Sequence, residues 1–172
     1  PYLQDFYADM NRWGAMMQIH LLFRRFAQHQ QIVWNSNKGA VQDRTIYEDT
    51  IFARMLHNAG FIDQRDYDTY LGHFNLMKRY LVYPDLLLYL RVNPETSLQR
   101  IAERGRKAEA GITLDYMQKL HLGYESFIEE MSQYTRVLTL DWNQILEIEE
   151  VLERILEKAG EKREFLRDLT KP

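Results

Sequence analysis

The chain has 172 residues, 45% of them hydrophobic and 27% charged, which is enough apolar material for one folded core. A net charge of −3 gives no general pull on nucleic acid or an anionic membrane, so any anion binding falls to local arginine clusters. There is no cysteine, which excludes disulfides, thiolate metal sites and a cysteine nucleophile, and no apolar run approaches the ~20 residues that span a bilayer.

In chain order, residues 5 to about 31 carry Phe6, Trp13, Met16, Met17, Ile19, Leu22, Phe23 and Phe26 at three- and four-residue steps. That period predicts one long amphipathic helix, loosened near Gly14. NSNKG at 35–39 reads as a loop, and AVQD after it as the end of a strand. TIYEDTIFARMLHNAG, 45–60, has helical period and a glycine terminator, with Thr45 and Glu48 in capping-box spacing. The next helix is expected from after Asp63 to about 81. In YPDLLLYLRV the unbroken apolar run from Leu86 to Leu90 predicts a strand covered on both faces, as in a parallel sheet. NPETSLQRIAERG follows as a helix with proline in its first turn, then TLDYMQKLHLGYESFIEEMSQY as another. RVLTLD predicts a third strand, and residues 143 to about 158 a final helix with a charged tail after Gly160.

Strands alternating with helices imply an α/β layer fold, a parallel sheet flanked by helices, whose ligands bind beyond the carboxyl ends of the strands. Asp43 and Arg44 stand at such an end, where they serve either as a structural ion pair or as groups facing a ligand. RIAERGRKAE brings Arg100, Arg104, Arg106 and Glu109 close in sequence. Arg100 and Arg104 share a helical face, and Gly105 frees Arg106 to swing inward. Arginine's planar fork suits phosphate, although a solvated helix face has the same composition. On the first helix Gln18 and Arg25 are seven apart, hence on one face, within an otherwise apolar stripe. Their partners are either a nucleobase edge or, for Arg25, the carboxylate of Asp49.

Together PYLQDFYADMNRW…MQIHLLFRRF, VQDRTIYEDTIFA, YPDLLLYLRVNPETSLQRIAERGRKAE and LDYMQKLHLGYESF resemble the deoxynucleoside kinase family, particularly bacterial kinases of deoxyadenosine, deoxyguanosine or deoxycytidine. The resemblance spans nearly the whole chain. It implies a single cytoplasmic domain over residues 1–172, a homodimer, and ATP-dependent phosphorylation of a deoxynucleoside 5′-hydroxyl in nucleotide salvage, with Mg²⁺. It also implies roles. Gln18 would hydrogen-bond the base, Arg25 and Asp49 would help select it, and Phe52 would pack on it. Tyr7 and Glu109 would hold the sugar 3′-hydroxyl. Arg44 would lie near the 5′-hydroxyl, with Asp43 beside it near metal and phosphates. Arg100, Arg104 and Arg106 would be the arginines of a lid that grips the ATP phosphates. Neither nucleic acid nor a membrane is an expected partner.

The sequence departs from the family in one respect: no GxxxxGK[ST] phosphate loop occurs in these residues. In relatives that loop, its strand and a second strand precede the segment resembling PYL, so the expectation is a P-loop-kinase-like fold in which these parts are absent from the chain, whether lost, omitted or supplied separately. Without the central strand, AVQD and DLLLYL would be separated and their edges unpaired. Two alternatives stay open: a non-catalytic kinase-like assembly protein, and a thymidylate-kinase-like nucleoside monophosphate kinase, which the set Gln18, Arg25 and Asp49 fits less well.

Overall fold

A computed structural model describes residues 2–34, 39–106 and 109–169, with side chains described as far as residue 160. The elements in chain order are α1 (Leu3–Ala8), α2 (Met10–Trp34), α3 (Asp49–Asn58), α4 (Gln64–Lys78), β1 (Leu86–Arg91), α5 (Pro94–Arg104), α6 (Leu114–Met131), β2 (Arg136–Asp141) and α7 (Ile148–Leu169). Most of the predicted loop at 35–39 and the side chains of the predicted charged tail lie outside the described residues.

The long first helix is two helices, and the break falls at Asp9 rather than Gly14. Asp9 leaves helical geometry at φ −150°, and its Oδ1 accepts the Arg12 backbone N–H at 3.0 Å, the bond of an N-cap that starts α2 afresh. Gly14 lies inside α2 and is buried. A Cβ there would stand 3.3 Å from the Phe61 carbonyl oxygen, so the glycine permits close approach of the loop after α3 and loosens nothing. α3 begins at Asp49, later than its sequence pattern suggests, because residues 46–48 form a turn; Glu48 still accepts the Thr45 N–H at 2.9 Å. Asp63 caps α4 through the Asp66 N–H at 2.8 Å, as its position predicts. α7 begins only at Ile148, and its backbone stays helical past Gly160.

β1 and β2 pair in parallel, from Leu86 against Arg136 to Arg91 against Asp141, joined by the α5–α6 crossover. Residues 40–43 form no strand. A strand persists only when a neighbour's N–H and C=O groups complete its ladder, and no described strand lies beside them; Val41 is fully exposed. The expectation of a strand covered on both faces also fails for β1. Leu87 packs against the core and Tyr89 lies parallel to the Tyr124 ring of α6, but Leu88 and Leu90 on the opposite face are 37% and 39% exposed. Leu140, the register partner of Leu90 on that same face, is only 1% exposed, so this face is covered at β2 and open at β1, which has no described strand on its outer side.

The core forms where α2, α3, α4 and α6 meet, through Leu22, Ile51, Ala53, Tyr70, Phe74, Phe127 and Met131. Each large apolar side chain buried there contributes about 1.5–3 kcal/mol. A satellite of Phe6, Met17, Leu56 and Ile62 fixes α1 against α2 and α3. This packing sets the first helices beside the sheet's helical layer, the geometry on which the candidate site depends.

His29 of α2 joins the core to the segment ahead of β1. Its Nε2 accepts the Val82 N–H at 3.0 Å, which requires the neutral ring, and Tyr47 meets the ring edge-on. Burial lowers its pKa from the usual value of about 6.5. The unfolded chain therefore binds a proton at a higher pH than the folded chain does. This contribution to stability is complete above the ordinary histidine pKa and is lost as pH falls through it toward the folded value. Urea midpoints measured between pH 7.5 and 5.5 are expected to fall more for the wild type than for His29→Gln.

Candidate active site

Arg25, on the face of α2 turned toward α3, forms an ion pair with Asp49, whose side chain is completely buried at the first turn of α3. Burial lowers the pKa of Arg25 and neighbouring Arg44 adds to this, while Glu48 opposes it. Of the two partners expected for Arg25, the structure supplies the carboxylate of Asp49. Gln18, two turns earlier on the same helix, is only 3% exposed, and its Oε1 has no hydrogen-bond partner among the described residues. A buried amide oxygen left unpaired in this way costs roughly 1–3 kcal/mol, which a donor on a bound molecule would recover.

Arg44 adopts φ +60°, the only non-glycine residue with positive φ among those described. Left-handed geometry is unfavourable for a residue with a Cβ and recurs where function demands a particular direction. Here it lays the guanidinium over the Phe52 ring, 5.3 Å from its centre. Asp43 is exposed and forms no ion pair with Arg44 among the described residues, so the reading of a structural ion pair between them is set aside.

The lid arginines divide. Gly105 at φ +66° ends α5 and turns the chain, after which Glu109 folds into a buried position. Arg104 donates from Nη2 to Glu109 Oε2 at 2.6 Å, and Arg106 approaches Oε1 at 3.6 Å. The repulsion expected among clustered arginines is relieved here by this carboxylate. Arg100 instead donates to the Asn143 carbonyl at 2.9 Å, beyond the end of β2, and does not join the other two on Glu109.

Tyr7 of α1 closes the arrangement, 102 positions from Glu109 in sequence. Burial raises its pKa first, Glu109 raises it further, and Arg44 and Arg104 pull it down. These four side chains therefore share one electrostatic neighbourhood. Three members carried no sequence signal for this site, although Glu48 had one for a helix cap. Tyr116 and Tyr124 project from α6, and the pKa of each is raised mainly by burial; Arg44 opposes the shift in both, and Arg25 also does so in Tyr124. Glu48 joins them, its pKa raised by burial against the pull of the Thr45 hydrogen bond and both arginines. A helix of mixed composition gave no reason to single out two of its tyrosines; only the α3–α6 packing brings them in.

A cleft of about 370 Å³ between α3 and α6, lined by Ile51, Met55, Leu122 and Phe127 with Arg54 and Glu130, involves none of these residues. The candidate site is thus a polar cluster where α1, α2, α3, α6 and the turn after α5 converge. It combines a mixed donor–acceptor edge at Gln18, an aromatic face at Phe52, an acid and a phenol at Glu109 and Tyr7, and the four guanidinium groups of Arg25, Arg44, Arg104 and Arg106.

A family model described as "Deoxynucleoside kinase" matches residues 1–164. The chain is 41% identical over 171 residues to a deoxyadenosine kinase of Dictyostelium discoideum, covering 99% of this chain and 69% of the relative. It is 41% identical over 131 residues to a deoxyadenosine/deoxycytidine kinase of Bacillus subtilis, covering 74% and 60% respectively. Among solved structures, deoxyadenosine kinase from M. mycoides with bound dCTP superimposes with a TM-score of 0.78 at 30% identity, over 94% of this chain and 80% of that one.

Proposed function

Because the chain belongs to the deoxynucleoside kinase family, we propose that it transfers the γ-phosphoryl group of ATP to the 5′-hydroxyl of a deoxynucleoside, a purine deoxynucleoside or deoxycytidine. The observation that carries this reading is the bond from Arg104 to Glu109 beside Tyr7 of the distant α1, which in this reading joins a phosphate-gripping group to a sugar-binding pair. The chain spans 69% and 60% of the length of the two curated relatives above.

In this reading the unpaired Gln18 Oε1 accepts a base amino group while its Nε2 donates to an adjacent ring nitrogen, the two-point pattern that adenine offers. Arg25 and Asp49 flank that edge and Phe52 covers the base. Tyr7 and Glu109 bind the 3′-hydroxyl, fixing the sugar so that its 5′-hydroxyl lies near Arg44. Loosely bound phosphoryl groups need positioning and charge stabilisation more than covalent help. Arg104 and Arg106 supply positive charge on planar forks suited to phosphate, and Arg100 steadies α5 from the end of β2.

ATP and Mg²⁺ belong to the proposal. When bound, the cation neutralises charge on the phosphates; Asp43 offers one exposed carboxylate toward it, and Mg²⁺ commonly takes only one or two carboxylates when phosphates and water complete its shell. No group of three or more His, Asp or Glu side chains that could hold a metal occurs among the described residues. A homodimer in the cytoplasm completes the reading. The α3–α6 cleft, with Leu122 68% exposed beside oppositely charged Arg54 and Glu130, has the self-complementary character of a two-fold contact; Phe23 of α2 offers a second apolar face.

The test is calorimetric titration with the four deoxynucleosides and their monophosphates, together with ADP release in the presence of Mg-ATP. A purine deoxynucleoside or deoxycytidine is expected to bind and be phosphorylated. Preference for monophosphates would transfer the site to a nucleotide kinase, and binding of neither would end the proposal.

A further inference from the structure

Glu48 precedes Asp49 and has no part in the family roles assigned above. Its side chain folds back so that Oε1 accepts the Thr45 N–H at 2.9 Å, closing a turn directly after Arg44. Arg44 is held at φ +60°, a conformation unfavourable for a residue with a Cβ, which persists only where its surroundings over-determine it. The phenol of Tyr124 hydrogen-bonds the same carboxyl group from α6. That phenol has little freedom. Its ring meets Phe52 edge-on at 6.2 Å, lies parallel to Tyr89 at 6.2 Å and meets Phe127 edge-on at 6.5 Å. Arg25 and Arg44 both act on Glu48 electrostatically, so one carboxyl group closes the backbone turn and lies within the field of both arginines of the site.

Resting on the kinase reading, the geometry points to Glu48, held by Tyr124, as a positioning residue that keeps Arg44 in its left-handed conformation over Phe52 and so aims its guanidinium at the acceptor end of the site. Without the Thr45–Glu48 bond the turn loses its closure, and Arg44 can relax to an ordinary right-handed or extended backbone. Relaxation swings the side chain away from Tyr7 and Tyr116, the two phenols with which it shares the site. Burial raises the pKa of Glu48, while the Thr45 hydrogen bond and both arginines pull it down; the service Glu48 performs for Arg44 is the hydrogen bond that closes the turn. Glutamine keeps an oxygen for Thr45 and alanine does not.

Steady-state kinetics with Mg-ATP and the preferred deoxynucleoside test this. Glu48→Ala is expected to lower kcat by about 10²-fold, the scale of an ångström-sized misplacement, with a smaller rise in KM. Glu48→Gln restores most of that rate. Tyr124→Phe, which keeps the ring packing and so the fold, shows a smaller loss of kcat in the same direction. Wild-type kcat in both Glu48→Ala and Tyr124→Phe overturns the inference, as does a failure of Glu48→Gln to exceed Glu48→Ala. If the wild-type chain phosphorylates nothing, the kinase reading is what has failed. Positioning is then read from the Arg44 Nε–Hε signal in NMR spectra, assigned with Arg44→Lys. A sharp signal in the wild type that broadens in Tyr124→Phe and Glu48→Ala supports the inference, and an unchanged one overturns it.

Discussion

Replacement of Arg104 by alanine is expected to lower kcat by ~10³–10⁵-fold, the range over which a transition-state arginine acts in other phosphoryl transfers. The size follows from two roles of one guanidinium. It is proposed to stabilise charge on the migrating group, and it holds Glu109 at 2.6 Å in the position from which that carboxylate is proposed to bind the sugar. Loss of the second role raises the nucleoside KM as well. Arg104→Lys should recover little, because an ammonium group is a point charge without the fork that can hold a carboxylate and a phosphate together. Arg100→Ala provides the contrast. Its guanidinium is occupied by the Asn143 carbonyl, so its removal is expected to affect lid position and to reduce kcat much less. Equal losses in Arg100→Ala and Arg104→Ala would show that the division between the two is absent during turnover.

The largest effect on stability is expected from Asp49→Ala. The carboxylate is completely buried and pairs with Arg25, and truncating one member of such a pair leaves the other charge without compensation, at about 3–5 kcal/mol. Urea denaturation measures this loss, and calorimetric titration should show that deoxynucleoside binding disappears with it. Those two losses separate in the double variant Arg25→Met with Asp49→Leu. Two apolar side chains of similar volume can restore stability, since a buried ion pair is worth little more than good packing, yet they offer the base no polar edge. A stable double variant that still binds deoxynucleosides with wild-type affinity would remove the pair from the site.

Much of this site was legible because its residue types conflict with their surroundings. Gln18 and Arg25 interrupt an apolar helical stripe, and a polar side chain on a buried face must find a partner. Arg104, Gly105 and Arg106 combine positive charge with a helix terminator, and φ +66° at Gly105 is the conformation such a stop requires. The motif around Arg44 could be located by composition. Its left-handed backbone could not, because arginine has no intrinsic preference for that region, and the surrounding turn, with Glu48 and Tyr124 behind it, is what enforces it.

What the sequence by itself determined was local: helical periods in α3 through α6, the caps at Asp63 and Gly105, the apolar run of β1, and the family to which those segments belong. Each rests on the chemistry of a few neighbouring residues. Tertiary structure decided whatever needed a partner from elsewhere. Residues 40–43 had the composition of a strand but no described neighbour to complete a ladder, and Leu88 and Leu90 stayed exposed on a face that is covered only at β2, where Leu140 is buried. In the same way Tyr7, Arg44, Glu109 and Tyr116 became one site only through the packing of α1, α2, α3 and α6, since proximity between distant residues comes from burial of shared apolar surface and is not written in either segment alone.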